Sequence, residues 1–198
     1  MEKDLLSCDR FIECSSRILS MLLGFEASKA IYDQVVKHNG KISIKCIHSQ
    51  HSNYEGSRFR AMWSPSADTI FMNCKEMLNF EDGVIFETLL FEIMNASRKE
   101  DICTIRRNVN LMDRETYALS IEKIEYENTI ATRSIMQKWY TSRKMERPSS
   151  EMGSLHEHSS FKEYLAGLHY PLKEFDNKIT HTEYFRLQHD SIMKQLRQ

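Results

Sequence analysis

Apolar and polar positions recur with two different periods along the chain, and these periods separate helices from a short strand region. In the first forty residues apolar side chains recur every three or four positions, which predicts two helices interrupted near Gly24. From Lys41 the period changes to two, which is typical of half-buried strands. Residues 64–68 have the composition of a turn, so residues 69–73 are predicted to return as the second arm of a hairpin. We therefore expect a small antiparallel sheet of about three strands.

The chain beyond Glu76 is helical in pattern. The predicted helices lie near residues 82–98, 101–110, 114–142, 160–169 and 181–196. Residues 143–159 are polar and contain proline, glycine and serine, so we interpret them as a loop or a partly mobile linker. The tail beyond that loop is too short to fold alone. The sequence therefore predicts one mostly helical α+β domain over residues 1–198.

The segment 84–98 stands out because it has almost no polar face when it is projected onto a helix. A helix that is apolar nearly all round is central and buried. Its polar residues Thr88, Glu92 and Asn95 fall on one side. A carboxylate on a buried helix is costly unless it is paired, hydrogen-bonded or neutralised. Glu92 is therefore expected to be buried and to have either a structural partner or a function.

A predicted strand, a short connection and a buried helix of the form Leu-Leu-x-Glu-x-x-x-Ala resemble the zinc-site region of zincin metalloproteases. In that family the helix carries His-Glu-x-x-His, in which both histidines bind zinc and the glutamate is the general base. The matching residues here are Phe91-Glu92-Ile93-Met94-Asn95. The glutamate is kept, but both zinc-ligand positions are substituted. Phenylalanine cannot bind zinc and a carboxamide binds it poorly, so we expect no metal and no cofactor.

The helix that follows carries acidic residues, and it resembles the helix from which gluzincins supply a third, acidic ligand. Glu125 lies on the flank of its apolar stripe, and Asn128 lies in the centre of that stripe. The predicted pocket therefore combines Thr88, Asn95, Glu125 and Asn128 around Glu92. Because a carboxamide can donate to a carboxylate without adding charge, Asn128 is the group that we expect to face Glu92.

Charge and cysteine content narrow the class of protein. The chain has 27 basic and 28 acidic residues, and a protein that binds nucleic acid or an anionic membrane normally has a basic surplus. No apolar run is long enough to span a membrane, and the first ten residues do not resemble a secretory signal. Five cysteines without a CxxC spacing indicate reduced, buried thiols. We therefore expect a reducing compartment, such as the cytoplasm. Delivery into a host or target cell is the alternative that the resemblance to zincins implies.

Three hypotheses for function follow. The first, which the resemblance favours, is a degenerate, metal-free zincin-like protein that binds another protein, such as a bacterial effector or a toxin-associated protein. The second is an enzyme that uses Glu92 in the retained pocket for hydrolysis or group transfer. His181 is its further catalytic candidate, because it lies on the apolar stripe of the last helix. The third is a small structural or immunity-type protein without an active site.

Overall fold

A computed structural model describes most of the chain: residues 13–14, 16–47, 60–73, 77, 79–148, 157–167, 169–170 and 179–197. The helices are α1 (residues 16–24), α2 (Glu26–Asn39), α3 (Asp82–Ser97), α4 (Lys99–Arg107), α5 (Arg114–Ser142), α6 (Phe161–Gly167) and α7 (His181–Leu196). The strands are β1 (Ser43–Ile47), β2 (Ala61–Ser64), β3 (Thr69–Asn73), β4 (His169–Tyr170) and β5 (Ile179–Thr180). The mostly helical α+β class is confirmed, and the predicted helices beyond residue 80 begin and end within three residues of the observed ones.

The three-stranded sheet is mixed, whereas the sequence predicted an antiparallel one. The hairpin itself is confirmed: β2 and β3 are antiparallel, and Asp68 in their turn has a φ of 44°, a conformation that aspartate tolerates. The order of the strands is β1-β3-β2, and β1 runs parallel to β3. The hairpin partner β3, rather than β2, therefore lies in the centre, and β1 joins its free edge in the parallel direction.

Helix α3 is the central element of the part of the chain that contains this sheet. Val84, Phe86 and Leu90 are each at most 1% exposed, which confirms the prediction of a buried helix. Helix α3 packs against α2 and against strand β2. The side chain of Asn39, at the end of α2, donates to the carbonyl of Ala96 at 2.9 Å, which fixes α2 to the last turn of α3.

Helices α5 and α7 are joined by a hydrophobic cluster and by ion pairs. The buried members of the cluster are Val109, Tyr117, Ala118, Ile121 and Phe185. At its border Arg114 contacts Glu183 at 2.7 Å and Asp190 at 3.0 Å, and Arg186 contacts Glu115 at 2.6 Å. These partly exposed ion pairs link the two helices at the border of the cluster.

The chain divides into two compact units, and neither is a continuous stretch of sequence. Unit 1 consists of residues 1–97 and 129–156, and unit 2 consists of residues 98–128 and 157–198. Helix α5 contributes its first half to unit 2 and its second half to unit 1. The interpretation of residues 1–198 as a single domain stays a prediction.

One cysteine corrects the expectation of reduced thiols. Cys46 in β1 is disulfide-bonded, whereas Cys14 and Cys103 are free. Burial raises the pKa of the Cys14 thiol, so that thiol is a poor nucleophile. Spacing alone missed the disulfide because Cys46 belongs to no CxxC pair. The expectation of a reducing compartment stays a prediction and loses Cys46 as support.

Among the described residues, none of the helices is both long and apolar enough to cross a bilayer.

Candidate functional site

Glu92 lies on the face of α3 that meets strand β2, and it is 7% exposed. Its Oε2 accepts a hydrogen bond from the backbone N–H of Trp63 at 2.8 Å and another from Nδ2 of Asn95 at 3.3 Å. The prediction that Glu92 is buried is therefore confirmed. Its carboxylate holds a strand and a neighbouring side chain of its own helix.

The position of Trp63 in the sheet explains why its N–H is available. In an antiparallel pair, alternate residues direct their backbone groups toward the partner strand and away from it. The N–H of Asn73 donates to the carbonyl of Arg60 at 2.8 Å, so the backbone groups of Arg60 are directed at β3. Trp63 lies three positions further along, so its backbone groups are directed away from β3. Strand β2 lies at one edge of the sheet. The Glu92 carboxylate thus takes the place that the carbonyl of a further strand would take.

The two positions that correspond to zinc ligands are used differently. Phe91 is partly buried, and Asn95 is 6% exposed with its amide directed at Glu92. Among the residues that the structure describes, no group of three or more histidine, cysteine, aspartate or glutamate side chains is arranged to hold a metal ion. Because Phe91 and Asn95 occupy the two zinc-ligand positions, neither position places an imidazole beside Glu92.

The predicted pocket is divided between the two units. Thr88 and Asn95 belong to unit 1 with Glu92, whereas Glu125 and Asn128 belong to unit 2. The hydroxyl of Thr88 donates to the carbonyl of Val84 at 2.9 Å, so it is engaged within its own helix. Asn128 is 2% exposed. The expected contact between Asn128 and Glu92 stays a prediction.

His181 is part of a second buried polar group, which lies within unit 2. Its Nδ1 is 3.1 Å from Oε2 of Glu122, and the Thr182 hydroxyl donates to Oε1 of the same carboxylate at 3.0 Å. Glu122 is fully buried, and the His181 side chain is 18% exposed. The His181 ring also meets the ring of Phe185 edge-on at 4.8 Å. His181 is thus mostly buried, in keeping with its place on the apolar stripe, and it contacts Glu122.

Sequence reasoning missed Glu122 as a site residue. It follows Ile121 directly, one position off the apolar stripe that was used to orient the helix. The helix buries a wider face than that stripe, since Ala118 and Thr129 are also buried. Glu122 lies four residues after Ala118 and seven before Thr129, so all three share one side. That spacing is the signal that could have identified it.

A third buried carboxylate, Glu87, lies on α3 and was also missed. It is 1% exposed, and Nη2 and Nε of Arg147 approach its Oε1 at 2.5 and 3.2 Å. Nearby, burial and then the Glu87 charge raise the pKa of Tyr140 to about 12. Glu87 stands in the same apolar helix as Glu92, so the cost of burying a charge could have predicted a partner for it as well. Arg147 supplies that partner from the segment predicted to be a polar loop.

The three carboxylates therefore share one chemical property: each is buried and held by donors from another part of the chain. A general base has to reach the proton that it removes, directly or through one water molecule. Oε2 of Glu92 already accepts two hydrogen bonds from the protein.

Comparison of the chain with protein-family profiles, with curated proteins and with solved structures gives no match.

Proposed function

We propose that the protein is a metal-free, non-enzymatic protein-binding module with a degenerate zincin-like arrangement. The observation that carries the proposal is the bonding of Glu92. The residue that corresponds to the zincin general base holds the edge strand through the N–H of Trp63 at 2.8 Å. Phe91 and Asn95 stand where that family has its histidine ligands. Because the Glu92 carboxylate binds a strand of the fold, its contact supports a structural role at the position that is catalytic in zincins.

Burial supports the same proposal. Deprotonating a substrate or a water molecule requires the carboxylate to be accessible, and Glu92 is 7% exposed. Moving it toward a substrate would leave the Trp63 N–H without its acceptor, which costs about 1–3 kcal/mol for a buried donor. The module therefore keeps the helix-and-strand framework and uses it to present surfaces to a partner protein.

One observation favours an enzyme as the second candidate. His181 is partly exposed, and a fully buried carboxylate orients its imidazole at 3.1 Å. Carboxylates hold catalytic histidines in the same way, because they fix the tautomer of the ring. An enzyme built on this pair would depend on His181 and Glu122 rather than on Glu92.

The test is an incubation of the purified protein with a mixed peptide library, with added zinc and with a chelator. Cleavage products are read by mass spectrometry for the wild type, Glu92→Gln and His181→Ala. We expect no product above the level of a heat-denatured sample in any of the six reactions. Peptides cleaved by the wild type but not by Glu92→Gln would contradict the proposal, and loss in His181→Ala alone would support the second candidate.

Binding is tested separately by chemical cross-linking of the wild type and Glu92→Gln in a cell extract, followed by measurement of Kd with the purified partner. Because Gln retains an acceptor for the Trp63 N–H, we expect both proteins to recover the same partner with the same affinity. Failure of the wild type to recover a saturable partner would refute the module.

A further inference from the structure

We draw no further inference here: the strongest candidate, the strip of His189, Asp190, Met193, Lys194 and Arg197 at the C-terminal end of α7 in unit 2, lies on one face of a single helix, and nothing in the described part of the chain shows what covers it.

Discussion

Replacement of Glu92 by alanine and by glutamine separates the contribution of its hydrogen bonds from that of its charge. Alanine removes the acceptor of the Trp63 N–H and of the Asn95 amide, and both donors are buried. A buried donor that loses its partner costs about 1–3 kcal/mol. Two such donors, together with the space left by the missing side chain, should cost about 3 kcal/mol or somewhat more.

Glutamine should cost less. Its Oε1 can still accept from Trp63, and only the charge-assisted part of the bond is lost, which is about 1 kcal/mol. For a chain of this length 1 kcal/mol corresponds to about 2–4 °C in melting temperature. The expected decreases are therefore about 6–12 °C for Glu92→Ala and about 2–4 °C for Glu92→Gln.

Circular dichroism melts of the wild type, the two variants and Glu100→Ala check this prediction. The Glu100 side chain is 83% exposed, so its replacement should leave the melting temperature almost unchanged. Equal melting temperatures for the wild type, Glu92→Gln and Glu92→Ala would refute the reasoning. So would a glutamine variant that is as unstable as the alanine variant, because charge would then outweigh the hydrogen bonds.

Three further predictions concern other buried or capping groups. Gly83→Ala should destabilise the protein by about 2 kcal/mol in urea unfolding, because the new methyl group would lie 2.1 Å from the buried Tyr140 hydroxyl. Adding Tyr140→Phe to this variant should recover part of the loss. If the free-energy changes of the two substitutions simply add in the double variant, the reasoning is contradicted. Glu87→Ala should cost about 3 kcal/mol because it removes the buried carboxylate that pairs with a mostly buried arginine, and Glu87→Gln should cost less. Equal urea midpoints would exclude this role. The Thr116 N–H and hydroxyl donate to the Asp113 carboxylate and lower its pKa. The difference in melting temperature between the wild type and Asp113→Asn should therefore be present at neutral pH and disappear as the pH falls through that lowered pKa. A difference that stays constant with pH would be inconsistent with capping.

The sequence predicted the elements of the fold better than their arrangement. Helix α3 was predictable because its apolar residues leave almost no polar face. The N-terminus of α7 was predictable because Thr180 caps it by accepting from the Glu183 N–H at 3.1 Å. The direction of β1 was not predictable, because the alternation of apolar and polar residues sets which side of a strand is buried and not which strand it pairs with. The apolar run at 69–73 was the available signal, since a strand buried on both faces is central.

The candidate site was predicted in part, for a physical reason. The cost of burying a charge identified Glu92 and required that it have a partner. It did not identify the partner, because a backbone N–H at a sheet edge leaves no mark in the sequence. Strands β4 and β5 escaped prediction because two residues are too few to show a period. His181 was oriented correctly by its stripe, but Glu122 was not identified, because α5 is buried on a wider face than its apolar stripe.

The interleaving of the two units in the sequence has a consequence for how the chain folds during synthesis. Residues 98–128 of unit 2 interrupt unit 1, and helix α5 runs through the boundary. A nascent chain made from N-terminus to C-terminus therefore contains the sheet strands and α3 before the second half of α5 has been made. Phe86 packs edge-on against Trp139 at 5.3 Å, and this contact can form only after more than fifty further residues have been translated. Contacts this distant in sequence slow folding, so apolar surface of α3 is exposed on the ribosome until α5 has emerged.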